Sequence, residues 1–280
     1  MTVRLWAQSL VDMELHPLEV FQFPGGEFHI DVEGSNLDED VAHRWIAEVK
    51  GADANDLVVA NLMANIAKER MEARYLLIPY LPAARADRGT PFGLGVYARI
   101  INAGDWNGVL TVDVHNPLAA RREVVGLQDL DVSSLVAEAS WDKGFTAVIA
   151  PDKGATDRAF AVADKLGVGT IVANKKREFS TGKILEITCP KLDPSGNYLV
   201  VDDICDGGGT FNGLAAATGL DPDQLSLWVT HGIFSGASSS LWDHYKEIHT
   251  TDSHPGTLQL GKWTTKAPLW PWMMRSIDNR

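Results

Sequence analysis

The sequence is poor in cysteine, in basic charge and in long apolar runs, and each shortage removes a class of protein. Only two of the 280 residues are cysteines, Cys189 and Cys205, in no metal-like spacing. A disulfide scaffold and a zinc ribbon are therefore excluded, and a reducing cytoplasm is the expected setting. Lys and Arg number 25 against 37 Asp and Glu, a formal net charge of −12. A chain this acidic lacks the basic face that nucleic-acid or anionic-membrane binding requires. An anionic substrate is still compatible with it, because a few placed cations, or Mg²⁺ held by carboxylates, reverse the local sign. No apolar run approaches the roughly 20 residues that span a bilayer. Gln8 and Asp12 interrupt the first residues before an apolar leader core forms, so no signal peptide is expected.

What the sequence does contain is a succession of short apolar runs separated by longer amphipathic stretches. That alternation predicts an α/β protein built from βα units around a mainly parallel sheet. Buried strands are expected at 56–61, 75–79, 108–113, 146–150, 170–173, 198–202 and 225–230, where the residues are β-branched-rich and nearly continuously apolar. Helical spacing is read at 41–50, 63–73, 93–103 and 156–166. Two similar βα series meet near residues 126–140, which predicts two domains, 1–130 and 131–280, each a mainly parallel sheet flanked by helices. Several expected strands end in polar clusters: Asp113-Val-His115, Pro151-Asp152, Lys175-Lys-Arg177, Asp202-Asp203 and Thr230-His231. Ligands of open α/β sheets gather beyond the carboxyl ends of strands, so these exits predict a functional rim.

The strongest local signal is Tyr198-Leu-Val-Val-Asp-Asp-Ile-Cys-Asp-Gly-Gly-Gly-Thr-Phe211. Ionised carboxylates only accept hydrogen bonds, so Asp202 and Asp203 at a strand tip suit ribose hydroxyls or Mg²⁺. Glycines at 207–209 let backbone N–H groups cradle a phosphate, and Thr210 adds a hydroxyl. Three glycines alone would be read as a tight turn. Two acids before them and a threonine after them favour a ligand loop.

This segment resembles the phosphoribosyl diphosphate (PRPP) loop of type I phosphoribosyltransferases, and more narrowly that of the ribose-phosphate pyrophosphokinases. The resemblance runs from about residue 21 to 252. It is carried by Phe23-Pro-Gly-Gly-Glu27, Ile78-Pro-Tyr80 with Ala84-Arg-Ala-Asp-Arg88, Thr111-Val-Asp-Val-His115, Ala150-Pro-Asp-Lys-Gly-Ala155 and Thr230-His-Gly-Ile-Phe-Ser-Gly236. Plain phosphoribosyltransferases share only the PRPP loop. The family resemblance implies Mg²⁺-dependent transfer of the diphosphoryl group of ATP to the C1 hydroxyl of ribose 5-phosphate. It implies Lys175 and Arg177 as catalytic cations on a mobile loop continued by the polar residues 179–183. It implies His115 and Asp152 at the metal, and Phe23, Glu27, Arg85, Asp87 and Arg88 around the nucleotide. Asp202, Asp203, Asp206, Gly207, Gly208, Gly209 and Thr210 would hold the sugar phosphate. It also implies a cytoplasmic homo-oligomer whose nucleotide site draws on a neighbouring subunit. A PRPP-using transferase and a non-catalytic regulatory homologue are the competing classes.

Four departures from the family pattern matter. Gly25 replaces the usual Asp or Asn, and Ala86 the usual Gln. After Asp87-Arg88 the chain goes directly to Gly89-Thr90-Pro91, where the family has about four more residues, including cations that bind regulatory phosphate in many members. Steady-state activity is accordingly expected to show no steep dependence on inorganic phosphate, and a steep dependence would refute this reading of the deletion. Gly207 stands where a threonine hydroxyl normally meets the 5′-phosphate, which opens room for an acceptor such as ADP-ribose. The Trp-rich tail at 262–274 is atypical and is expected to be a packed cap or interface. Two further glycine patterns are decoys. Gly256–Trp263 ends in Trp where a Walker loop needs Ser or Thr, and Gly93-Leu-Gly-Val-Tyr-Ala98 does not follow a strand.

Overall fold

The computed structural model describes residues 1–35, 37–38, 40–177, 184–261 and 264–278. The residues expected to continue the mobile loop, 179–183, lie outside the described residues, as do Lys262 and Trp263 of the tail. The chain divides into two units, Met1–Leu130 with Met273–Arg280, and Asp131–Trp272.

In the first unit, β1 (Val3–Ser9), β2 (Leu15–Pro17), β5 (His43–Val49), β6 (Arg74–Leu77), β7 (Gly108–Val112) and β8 (Leu127–Leu130) form one sheet, while β3 (Glu19–Gln22) and β4 (Phe28–Asp31) form a separate hairpin. The order is β2-β1-β5-β6-β7-β8. β1 pairs antiparallel with both β2 and β5, whereas β5 to β8 are parallel. Helices α1 (Ala54–Glu69), α2 (Gly93–Asn102) and α3 (Pro117–Glu123) belong to the crossovers. Its core joins Trp45, Val49, Leu76, Ile78 and Val109 to Leu57 and Met63 of α1 and Leu94 and Ile101 of α2.

In the second unit, β9 (Ala147–Ala150), β10 (Gly169–Val172), β13 (Tyr198–Cys205), β14 (Leu225–Gly232), β15 (Glu247–Thr251) and β16 (Thr265–Ala267) make an all-parallel sheet in the order β10-β9-β13-β14-β15-β16. A hairpin of β11 (Asn174–Arg177) and β12 (Ile184–Thr188) stands apart from it, and the helices are α4 (Ser133–Ser140), α5 (Thr156–Leu166) and α6 (Gly209–Thr218), while the C-terminal α7 (Trp270–Asp278) belongs from Met273 onward to the first unit. Ile149, Val200 and Leu227 of the sheet pack with Phe211 and Leu214 of α6. Both sheets are mainly parallel and flanked by helices, as the α/β reading requires.

Two sequence readings exchange places in the structure. Residues 56–61, expected as a strand, lie inside α1. Asp53 caps that helix by accepting from Asn55 N–H (2.9 Å), and Leu57, Ala60, Ala64 and Ala67 form its buried stripe. Residues 41–50, expected as a helix, contain β5, which is covered by β1 on one edge and β6 on the other. Trp45, Ile46, Ala47, Glu48 and Val49 are all buried there. A strand covered on both faces loses the alternation that would distinguish it from a helix. The helix expected at 63–73 stops earlier, at Glu69, and Met71 takes a left-handed φ of 59°. Part of the expected tail cap is ordinary secondary structure: β16 pairs with β15, and Met273, Met274 and Ile277 of α7 are buried.

Candidate active site

The acids of the glycine loop sit where the sheet delivers them. β13 lies in the interior of the second sheet, between β9 and β14, and its last residues carry Asp202 and Asp203 to the carboxyl end. Both carboxylates are turned toward the backbone. Asp202 accepts from Asp203 N–H (2.9 Å), and Asp203 accepts from Ile204 N–H (2.9 Å). Arg158 of α5 reaches the same pair, with Nη1 3.4 Å from Asp202 and Nη2 3.9 Å from Asp203. Burial and the adjacent Asp203 charge raise the Asp202 pKa well above the usual carboxylate range despite Arg158.

That balance has a sign that can be tested. A carboxylate whose folded pKa is raised favours the folded state below its unfolded value of 3.8 and loses that contribution as pH rises through the folded pKa. Asp202→Asn is expected to raise the thermal midpoint at pH 8 by about 2–4 °C, with the advantage shrinking as the pH is lowered. A melt series showing no gain at pH 8 would refute it.

Beyond the acids the chain turns through the loop into α6. Gly208 has φ +81°, a left-handed conformation that favours glycine. Gly207 and Gly209 have no such need. A Cβ on Gly207 would meet only the Ser235 carbonyl at 4.0 Å, and one on Gly209 would meet nothing within 4 Å. The loop is shaped from below by the Thr230–Gly236 segment. Ile233 and Phe234 N–H donate to the Cys205 carbonyl (2.9 and 3.1 Å), and Ser235 N–H donates to the Asp206 carbonyl (3.1 Å). The Ser235 hydroxyl donates to the Asp206 carboxylate. Thr230 and His231 themselves are buried, with His231 Nδ1 2.9 Å from Ser253 Oγ. That part of the motif therefore braces the loop from within the fold. Cys205 is an inert neighbour: burial first, then the Asp202 and Asp206 charges, push its thiol up to about 12.

Asp152 follows β9 at the same end of the sheet and caps a short 3₁₀ turn by accepting from Gly154 N–H (2.8 Å). Lys175 forms an ion pair with it. The pleat of β11 explains why Lys175 does so and Lys176 does not: successive side chains point to opposite faces. Lys175 is 11% exposed at its side chain, whereas Lys176 is 75% exposed and pairs with Glu186 across the hairpin. The ladder register shifts between Lys176 and Arg177. Burial opposes ionisation of Asp152, but Lys175 and the N–H groups of Gly154 and Ala155 outweigh it and lower its pKa. The two cations expected on a loop thus begin in a strand of a hairpin.

The nucleotide-side candidates belong to the first unit. Phe23 and Glu27 lie at the turn of the β3–β4 hairpin, closed by Phe23 N–H to the Glu27 carbonyl (2.8 Å). Phe21, Phe23 and His29 form an aromatic cluster, with the Phe23 and His29 rings stacked at 5.9 Å, and both phenylalanines are exposed. The Glu27 carboxylate fills the space beside Gly25, where an added Cβ would sit 2.5 Å from Oε2. Arg85 and Arg88 are exposed on the chain between β6 and α2, and Gly89 turns that chain with φ +81°. Asp87 accepts from Asn116, the residue that caps α3, so its carboxylate ties two strand exits together. His115 is exposed at the exit of β7, just after Asp113, whose φ of 48° is unusual for a residue with a side chain. Among the described residues, no group of three or more His, Cys, Asp or Glu side chains is gathered to hold a metal.

No family model matches the chain. It is 28% identical over 246 residues to the ribose-phosphate pyrophosphokinase of Granulibacter bethesdensis, covering 82% of this chain and 76% of that protein. The Brucella melitensis protein of the same name is 28% identical over 276 residues, with 89% and 84% covered. The crystal structure of phosphoribosylpyrophosphate synthetase from Mycobacterium smegmatis superposes with a TM-score of 0.69 over 96% of this chain and 91% of that one, at 19% identity. The chain is thus similar over most of its length to ribose-phosphate pyrophosphokinases. It is an enzyme of that class, and the Mycobacterium smegmatis structure shows that it has the same fold. No helix among its described residues is long and apolar enough to cross a membrane.

One residue at this site that the sequence motifs did not single out is Arg158. The sequence did hold a signal for it. A cation in the first turn of α5 opposes the helix dipole and needs an acidic partner. That partner is the Asp202–Asp203 pair, 44 residues away in sequence from Arg158 to Asp202. His29 was missed because its stacking on Phe23 depends on the β3–β4 register, in which His29 faces Phe21.

Proposed function

We propose that this protein transfers the β,γ-diphosphoryl group of ATP to the C1 hydroxyl of an acceptor built on ribose 5-phosphate, giving a 1-diphosphate and AMP. The acceptor C1 oxygen bonds to the β-phosphorus, the bond from that phosphorus to the α,β-bridging oxygen breaks, and AMP leaves with the electron pair. The C1 hydroxyl proton is released to solvent. The observation that carries this reading is the pairing of Lys175 with Asp152 at the same end of the second sheet as the glycine loop. A PRPP-using transferase needs the loop; a diphosphoryl donor brings charge in flight, which a lysine can offset.

In this reading Asp202 and Asp203 accept from the ribose hydroxyls, and the Asp206–Thr210 loop and the start of α6 hold the 5′-phosphate. Lys175 and Arg177 bind the transferring group. Phe23 stacks on the adenine and Glu27 reads its edge, with Arg85, Asp87 and Arg88 around the phosphates. That nucleotide site is completed across subunits of a homo-oligomer. The donors suit Mg²⁺: Asp152 is a carboxylate held ionised, and Mg²⁺ takes one or two carboxylates plus substrate phosphates without a protein cage. Asp152 would hold it, with His115 acting through water. The ion would neutralise phosphate charge.

A second reading concerns the acceptor. The open space at Gly207 and Gly209 favours a ribose phosphate carrying a further group on its 5′-phosphate, with ADP-ribose as the candidate. The deciding assay follows AMP release from ATP with each acceptor and with none. AMP release with either acceptor is expected. A clear preference for ribose 5-phosphate would remove the ADP-ribose reading. No release with either, together with consumption of PRPP, would replace the kinase by a phosphoribosyltransferase, and inactivity in both assays would indicate a regulatory homologue. If ADP-ribose is preferred, Gly207→Thr is expected to lower its kcat/KM by about tenfold or more, consistent with a steric cost of a few kcal/mol.

A further inference from the structure

The second unit carries a polar pocket at the opposite end of its sheet from the glycine loop. A cavity of about 470 Å³ is lined by Lys143, Trp242, Lys246, Glu247, His249 and Thr265. Lys143 precedes β9, Glu247 and His249 are the first and third residues of β15, and Thr265 opens β16. These are amino ends of parallel strands, whereas Asp202 to Thr210 follow the carboxyl end of β13. The volume lies within the range of small-molecule sites.

The wall is built before any ligand arrives. Glu247 accepts from Lys143 Nζ at 2.9 Å with one oxygen and lies 3.1 Å from His249 Nε2 with the other. An ionised carboxylate can only accept, so this contact places the imidazole proton on Nε2 and leaves Nδ1 as an acceptor. Nδ1 has no hydrogen-bond partner, although His249 is 4% exposed. The imidazole stacks within 17° of parallel on the buried Trp228, which fixes its orientation. The charge of Lys143 is therefore spent on Glu247. Lys246 is different: its backbone N–H is anchored on the Pro222 and Leu225 carbonyls, while its exposed ammonium has no ion pair among the described residues. Trp242 packs partly against the second core and still lines the cavity.

We propose that this pocket binds a planar aromatic molecule carrying a single negative charge. The ring would lie against Trp242 and the anion would meet Lys246. Glu247 on the same wall opposes a second negative charge, so the class is a monoanion. A net positive pocket in a chain of formal charge −12 supports the sign of the ligand.

The test is a saturation-transfer NMR titration of the full chain with indole-3-acetate, compared with its uncharged analogue indole-3-acetamide. The acid is expected to saturate below ~10 mM and the amide to bind at least about tenfold more weakly. Lys246→Gln and Trp242→Ala are each expected to weaken the acid about tenfold or more. If Trp242→Ala fails to fold by circular dichroism, Lys246→Gln, an exposed side chain, decides alone. The proposal is overturned if the acid does not saturate, if the amide binds as well, or if Lys246→Gln binds like the wild type. Displacement of indole-3-acetate by ATP or ribose 5-phosphate would assign it to the active site and overturn the proposal as well.

Discussion

Lys175→Ala is expected to reduce the turnover of AMP release from ATP by at least about two orders of magnitude, with the KM of ATP and of the acceptor changed less than about threefold. The reasoning starts from the β11 pleat, which turns Lys175 inward to Asp152 and leaves Lys176 on Glu186. A charge positioned beside the transferring group stabilises the charge that develops during transfer more than it stabilises bound substrate. Its removal therefore lowers kcat with little change in KM. The control is Lys176→Ala, one residue away on the opposite face, which is expected to retain activity within about twofold, as an exposed pair contributes little. Equal losses in the two variants would show that the hairpin matters only as structure. A loss in Lys175→Ala smaller than tenfold would remove this lysine from the reaction.

Arg158→Met should lower kcat/KM for the acceptor about a hundredfold, or about 2.7 kcal/mol, which is near what breaking a largely buried ion pair costs. Arg158 and Asp202 are 14% and 15% exposed at their side chains, so solvent screening is limited. Without the guanidinium, burial and the Asp203 charge act on Asp202 unopposed. Its pKa, already raised, rises further, and the carboxylate that should accept from a ribose hydroxyl is protonated over a wider range. The acid limb of kcat/KM for the acceptor accordingly moves to higher pH, while the KM of ATP stays near its wild-type value. Arg158→Lys, which keeps the charge, should restore part of the activity and move the acid limb back. A uniform loss at every pH, unrelieved by lysine, would make Arg158 a packing residue only.

The strand, turn and helix of the glycine loop were legible in the sequence because they occupy contiguous residues. An apolar strand, two acids, three glycines and a threonine occupy one segment from Tyr198 to Thr210, and β13, its turn and α6 follow that segment residue by residue. The parallel α/β class was legible for the same reason, since β9, β10, β13 and β14 are short apolar runs with polar exits. Elements that depend on what covers them were not. Residues 43–49 form a strand because β1 and β6 bury both of its edges, and residues 56–61 are helical because Asp53 caps them and their apolar stripe meets the sheet.

By itself the sequence determined the fold class, the acidic charge balance, the order of the motifs and the loop that presents two acids and a glycine turn. The tertiary structure alone decided which lysine of the Lys175–Lys176 pair meets Asp152, that Arg158 serves Asp202 and Asp203, that Glu27 closes over Gly25, and that Gly207 leaves open space. The physical reason is distance along the chain. A motif keeps its meaning within a dozen residues, whereas a charge finds its partner, and a glycine its empty volume, only after strands far apart in sequence have been laid side by side.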